Sequence, residues 1–345
     1  MKVFGHASES LHAPRFFLMR GRLRDNYEVP ARAAALREGL ARLGLAPEEA
    51  PPATRAEVEA LHAPAYLDFL ATAHAEWAAM PEAGEEVVAN IHPSPEMLAQ
   101  SACAARHPVS RAGRFTADTA CPIGPGTFAA ALGAAGCALA AADLAAAGGA
   151  AYALCRPPGH HAYAARAGGH CYLNNSALAA ERLRARGAAR VAVLDVDSHH
   201  GNGTQGLFWE RGDVLTVSLH ADPARYYPWY VGFAEECGAG PGLGANLNLP
   251  LPFGADDAAW LAGLEQGLAA IRAFRPEALV VALGFDASAH EPLAALAVTA
   301  EGFARAGAAI GALGLPTAIC QEGGYNVDVL GELLARFLTG FGNAR

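Results

Sequence analysis

Lysine is almost absent from this chain of 345 residues: it occurs only at Lys2, and arginine supplies the rest of the basic charge. Charged residues amount to 17%, the formal net charge is -9, and no long block carries one sign. A nucleic-acid footprint needs clustered basic residues, so no nucleic-acid partner is expected. The seven cysteines are odd in number and include no C-x-x-C pair. That sets aside a disulfide scaffold and suits free thiols in a reducing compartment. No run of about 20 apolar residues is free of polar breaks. The nearest, GTFAAALGAAGCALAAADLAAAGG, is built of Ala and Gly and reads as a buried helix, not a membrane span. MKVFGHASESLHAP has no apolar signal core, so a cytoplasmic location and no membrane partner are expected. No repeat of fixed period is present.

What the chain does have is apolar bulk, 52% of residues, with 38 glycines. This suffices for one large core. Pro30–Leu43 and TRAEVEALHAPAYLDFLATAH read as helices, the second interrupted by Pro64. The stretch 81–122 is poor in periodicity and rich in Pro, Gly and polar clusters, which predicts a long loop insert within a single domain spanning 1–345. From Gly126 onward short Val/Ala/Leu runs alternate with helical segments. Strands are expected at 150–155, 190–196, 213–219, 278–284 and 315–321. Helices are expected at 127–146, 173–186, 257–273, 293–311 and 327–338. The pattern predicts an α/β fold with a mainly parallel sheet flanked by helices.

Four of these strands end in polar clusters: RPPGHH, DVDSHH, GFDASAH and QEGGYN. In open α/β sheets, ligands sit outside the carboxyl ends of the strands, so the clusters are expected to converge. In DVDSHH an extended backbone turns Asp195, Asp197 and His199 to one side. Carboxylate and imidazole at that spacing suit a metal, and Asp286 of GFDAS would complete an Asp-His-Asp set with a position left for water. Two acids merely capping a turn is the plainer alternative, and spacing does not choose between one metal and two. Near a metal, His160 and His161 suit proton transfer from water to a leaving nitrogen. Tyr325, after Gly323-Gly324, can donate to a developing oxyanion.

RPPGHHA, GGHCYLNN, LDVDSHHGNGTQ, GFDA and EGGYN, in this order, resemble the zinc-dependent histone deacetylase family of the arginase–deacetylase superfamily. YEVPARAAALREGL and LHAPAYLDFL resemble its N-terminal helices, so the likeness spans nearly the whole chain. SLHADPARYYPWYVGFAEECGAGPGLGANLNLPLP and the insert ending in DTACPIGPGTF are closer to the acetylpolyamine amidohydrolase branch. The resemblance implies one catalytic zinc ion on Asp197, His199 and Asp286, with Tyr325 polarising the scissile carbonyl. It implies His161 as main general base and acid and His160 as electrostatic partner. Asp195 would orient His160, and Asn202 would orient His161. A monovalent cation, potassium, is implied around Asp195–His199 and Ser218–Leu219. Gly169, His170 and Tyr227 would bind substrate, Gly169 through its carbonyl.

One position departs from the family: His170 in GGHCY stands where an aromatic Phe or Tyr lines the channel. An imidazole keeps a flat ring, weakens contact with a methylene chain, and would repel a cation if protonated. The expected activity is zinc-dependent removal of acetyl groups from aliphatic amines, acetylpolyamines first. Deacetylation of acetyl-lysine in proteins, or of another small acylamine, is the nearest rival. A binuclear manganese enzyme acting on a guanidino substrate and a catalytically silent binding protein stand further off. The insert is expected to narrow access and to support a homodimer, with Glu82, Glu85, Glu86 and Glu96 as candidates to meet a distal ammonium.

Overall fold

The computed structural model describes residues 1–293 and 295–345. Strands are β1 (Lys2–Gly5), β2 (Phe16–Met19), β3 (Arg22–Asp25), β4 (Glu48–Glu49), β5 (Ala150–Ala153), β6 (Val191–Asp195), β7 (Val214–Ala221), β8 (Asn246–Leu251), β9 (Ala278–Leu283) and β10 (Thr317–Gln321). All but β2 and β3 join one sheet, in the order β4-β1-β5-β10-β9-β6-β7-β8. Its ladders are parallel throughout. β2 and β3 form a separate antiparallel hairpin. The α/β class and the mainly parallel sheet expected from the sequence are thus present.

Both faces of this sheet are covered, which is why β9 and the body of β6 are apolar on both faces. Val191 and Val193 of β6 point into an alanine-rich layer with helices Thr127–Ala146 and Asn175–Ala185. Ala192 and Leu194 point the other way, toward Leu36, Trp260, Phe303 and Phe337 from the helices of the opposite layer. β9 alternates likewise, with Ala278 and Val280 on one side and Leu279, Val281 and Leu283 on the other. The small residues of helix Thr127–Ala146 let it lie close to the sheet. Among the described residues it is the one helix long and apolar enough to cross a membrane, and 67% of its apolar window is buried inside the fold.

Several elements differ from expectation. β1, β4, β8 and the β2–β3 hairpin were not anticipated, being short or interrupted by charge and proline. The helical reading around Pro64 divides: a turn of helix, Arg55–Val58, is closed by a Thr54–Glu57 capping box. A second helix, Pro64–Ala78, then begins with proline at its first turn, where no N–H is needed. The helix expected at 293–311 starts only at Ala300, capped by the Thr299 side chain; position 294 lies outside the described residues. The stretch 81–122 is not all loop. It contains helices Pro95–Gln100 and Pro108–Phe115, and its start is tied to the residue just after it through the Val87–Ile123 bridge.

Strand order matters most for the site. β5, β10, β9 and β6 are consecutive neighbours at the centre of the sheet, although far apart in sequence. Their carboxyl ends carry RPPGHH, QEGGYN, GFDASAH and DVDSHH respectively, so the polar clusters converge on one edge.

Candidate active site

β6 delivers the first two groups. Its ladder with β9 continues past Asp195, as the Val196 N–H donates to the Ala282 carbonyl. The chain then bends: the His199 N–H donates to Asp197 Oδ1 (2.9 Å) and the Ser198 N–H to Asp286 Oδ1 (2.8 Å). His199 Nδ1 lies 2.8 Å from Asp286 Oδ2 and 3.2 Å from Asp197 Oδ1. Ligand atoms from Asp197, His199 and Asp286 all fall within 4.8 Å of one another, and all three residues are buried. The Gly323 N–H donates to Asp197 Oδ2 at 2.8 Å. Gly323 has to be glycine here: a Cβ would sit 2.6 Å from both Asp197 Oδ2 and Asp286 Oδ2.

Two buried carboxylates a few ångströms apart, met by His199, by His160 at 3.8 Å from Asp197 Oδ1 and by backbone N–H groups, gather donor atoms that a cation can share. That donor set, one nitrogen and carboxylate oxygens, fits a divalent cation of the zinc type. A second buried group, His160, Cys171 and Glu322, also gathers potential ligands. It fits less well, because the Glu322 carboxylate already accepts from the Gly159 N–H, the His160 N–H and the Ser176 hydroxyl. His160 is likewise engaged, through Nδ1.

The two histidines after β5 stand with ring centroids 4.0 Å apart. His160 Nδ1 is 2.8 Å from Asp195 Oδ2, and His161 Nδ1 is 2.6 Å from Asn202 Oδ1. Burial opposes charge on both. For His160 the Asp195 and Asp197 carboxylates outweigh it and raise the ring well above the ordinary histidine range. For His161 burial, reinforced by His160 and His199, holds the ring far below that range. An amide oxygen only accepts, so His161 carries its proton on Nδ1 and leaves the Nε2 lone pair free. The rings differ because one is oriented by an anion and the other by a neutral amide.

Tyr325 sits beyond β10, with the Arg32 guanidinium over its ring at 4.9 Å and the His170 ring at 5.8 Å. Burial pushes its hydroxyl well above the usual tyrosine value, and the Asp286 and Asp197 carboxylates act in the same sense. Gly169 and His170 form the corner of a tight turn closed by Gly168 and Cys171, with φ of +51° and +67°. Burial lowers His170 to about 4, so at neutral pH its ring is uncharged. Tyr227 packs edge-on against His161 at 4.8 Å. Its hydroxyl donates to Asp118 Oδ2 (2.6 Å), which also accepts the Gly169 N–H (3.0 Å).

Asp118 was not singled out from the sequence, nor was Tyr226, whose ring stacks on His199 at 4.5 Å. A carboxylate in DTACP and a second tyrosine in RYYP carry no spacing signal of their own. Among the glutamates of the insert, Glu85 pairs with the Arg15 guanidinium, and the buried Glu86 accepts the Arg15 N–H at 3.0 Å. These two have partners within the chain; Glu82 and Glu96 are exposed.

A histone deacetylase domain matches residues 26–341. The chain belongs to the histone deacetylase family. An acetylpolyamine amidohydrolase of Burkholderia pseudomallei (strain 1710b) is 48% identical over 347 residues, covering 100% of both chains. An acetylpolyamine amidohydrolase of Mycoplana ramosa is 39% identical over 350 residues, with 99% of each chain covered. The crystal structure of acetylpolyamine aminohydrolase from Burkholderia pseudomallei matches with a TM-score of 0.96, at 48% identity, over 100% of this chain and 99% of that one. The HDA15 HD domain matches at a TM-score of 0.82 and 28% identity, over 99% and 90%. In this histone deacetylase chain the matched span takes in every residue of the site, from Arg32 to Tyr325.

Proposed function

We propose that this protein is a zinc-dependent amidohydrolase that removes acetyl groups from acetylated aliphatic amines, acetylpolyamines above all. The observation that carries this reading is the buried Asp197–His199–Asp286 cluster beside a neutral His161, in a chain similar over its whole length to acetylpolyamine amidohydrolases. Asp197, His199 and Asp286 would hold the zinc. When bound, that ion supplies Lewis acidity to the amide carbonyl and makes a nearby water more acidic.

The chain's own groups then divide the remaining work. His161, with Nδ1 engaged by Asn202, presents Nε2 to take the proton of the attacking water. The same ring, once protonated, returns a proton to the departing amine nitrogen. His160, held by Asp195, stays charged beside it and supplies electrostatic support. Tyr325 donates its hydroxyl proton in a hydrogen bond to the oxyanion, a role worth about 10²–10³ in kcat for a single donor. The Gly169 carbonyl accepts the substrate amide N–H, while His170 and Tyr227 wall the methylene chain. A neutral imidazole at His170 keeps the wall free of repulsion toward a cationic amine. A potassium ion around Asp195–His199 and Ser218–Leu219, a homodimer formed through the 81–122 insert, and a cytoplasmic location complete the proposal.

The test is turnover by the zinc-loaded protein on acetylputrescine, acetylcadaverine and acetylspermidine against an acetyl-lysine peptide, with metal content measured. Acetylpolyamines are expected to show the highest kcat/KM. Robust turnover of acetyl-lysine peptides with none of the polyamines would overturn the substrate class.

A further inference from the structure

The turn that carries Tyr325 has little rigidity of its own. It contains two successive glycines, and Gly324 adopts φ +118°, a backbone conformation other residues rarely enter. What holds it comes from elsewhere in the chain. On its carbonyl side Arg32 donates from Nε to the Gly324 carbonyl and from Nη2 to the Glu322 carbonyl, each at 2.6 Å. On its amide side stands Glu291. The Tyr325 N–H lies 3.0 Å from Glu291 Oε1 and 2.9 Å from Oε2, and the Asn326 N–H donates to Oε1 at 3.0 Å. The Arg32 guanidinium thus holds the carbonyls and the Glu291 carboxyl oxygens hold the amides, so the peptide dipoles of the turn are gripped from both sides.

Glu291 is only 5% exposed, and burying a carboxylate is costly unless it is well satisfied. The following helix, Val327–Asn343, does not require it as a cap: the Asn326 side chain already accepts the Asp328 N–H. Glu291 also lies on the segment that carries Asp286. That segment is laced to the tyrosine turn by further bonds: the Phe285 N–H donates to the Gly323 carbonyl and the Asn326 amide to the His290 carbonyl. One stretch of chain therefore sets both the third candidate ligand and the backbone of the candidate oxyanion donor.

We propose that Glu291 is a positioning residue for the hydrolytic reaction: by holding the Tyr325 and Asn326 N–H groups, its carboxylate fixes where the Tyr325 hydroxyl stands. This rests on the oxyanion role given to Tyr325 above. A misplacement of about 1 Å at a reacting group costs on the order of 10²-fold in rate. Because the contact made by Tyr325 strengthens in the transition state, the loss belongs in kcat and not in KM. Glu291→Gln keeps the length but turns an NH₂ toward one donor; Glu291→Ala removes both acceptors.

The experiment measures kcat and KM on acetylputrescine for E291Q and E291A, each in the parent and in a Y325F background, with zinc content and melting temperature alongside. E291A is expected to lose about 10²-fold in kcat and E291Q about 10-fold, with KM changed by less than about threefold. Zinc content stays at parent level. In the Y325F background the same substitutions cost less than about twofold further, since the group they position is gone. Equal losses in both backgrounds, a change confined to KM, full activity of E291Q, or inactivity explained by lost zinc would each overturn the assignment. E291Q carries the test if E291A fails to fold. A Y325F protein as fast as the parent removes the reading beneath; a slow Y325F with an unimpaired E291Q removes only the role of Glu291.

Discussion

Two buried charge clusters lie close together in this protein, and they are balanced in different ways. Around Glu28, a fully buried carboxylate accepts from Arg32 Nη1 at 2.7 Å and from Arg156 Nη2 at 2.9 Å. Burial alone would raise that carboxyl, but the Arg156 and Arg32 guanidiniums outweigh it and hold it below its ordinary value. The cluster is complete within the chain. Around His199, the Asp197 and Asp286 carboxylates face two imidazoles, His199 directly and His160 with Nε2 3.8 Å from Asp197 Oδ1, and no guanidinium or ammonium bonds to either of them among the described residues. There burial comes first and Asp197 second in raising Asp286 above the ordinary carboxylate range. The first cluster serves the fold, because both buried guanidiniums converge on the one Glu28 carboxylate and its removal leaves them short of a counter-charge. The second is a candidate binding site, because its carboxylate oxygens are met only by imidazoles and backbone N–H groups and keep lone pairs that a cation can share.

The largest effect that would break this contrast is at Asp286. Asp286→Asn is expected to lower zinc content and to reduce kcat by about 10³-fold. In metal-free protein the same substitution removes like-charge repulsion, so its melting temperature should equal or exceed that of the metal-free parent. A large loss of apo stability would mean that Asp286 is structural in the way Glu28 is. Glu28→Gln should behave oppositely. It leaves two buried guanidiniums short of a counter-charge and is expected to cost about 3–5 kcal/mol in denaturant unfolding, with or without metal.

A smaller effect sharpens the contrast with a third solution, in which the buried group is simply neutral. His62 accepts the Asn174 N–H on Nε2 at 3.0 Å and donates from Nδ1 to the Tyr163 carbonyl at 3.1 Å. Burial lowers it from 6.5 to about 4. Because the folded value is depressed, the unfolded chain binds the proton first as pH falls. The stability His62 contributes is therefore complete above pH 6.5 and lost between there and about 4, amounting to at most about 3 kcal/mol. His62→Gln should be less stable at pH 7 yet lose less between pH 7 and 4.5, read by urea titration at each pH. A parallel pH dependence in the variant would show that His62 does not titrate on unfolding.

Much of this architecture was legible beforehand, for reasons of local physics. Strands buried on both faces of a parallel sheet are mostly apolar, so ALVVAL and VAVL announce themselves, and each ends close to where polar residues begin. Short edge elements were harder. RLRD in β3 is exposed along its length, and NLNLPL in β8 carries a proline, so neither shows a buried-strand pattern. The helix Ala300–Gly311 starts later than the helical composition of LAALAV predicts, because its cap is Thr299. In the site, residues grouped in motifs were visible as groups. Arg32, Asp118, Tyr226 and Glu291 were not, since each is a lone polar or aromatic residue whose partners lie far along the chain.

The sequence by itself determined the chemical inventory: carboxylates and histidines at strand ends, placed on one face by the two-residue period of an extended chain. It also carried the family resemblance, which assigned roles to that inventory. Only the tertiary structure decided which inventory items meet. The order β5-β10-β9-β6 brings together segments separated by scores of residues, and His199 reaches Asp286 across 87 positions. It likewise decided that Glu291 and Arg32 grip the Tyr325 turn from opposite sides. Side-chain direction repeats locally and can be read from spacing. Strand adjacency and buried charge balance depend on the whole packed chain, and no local pattern encodes them.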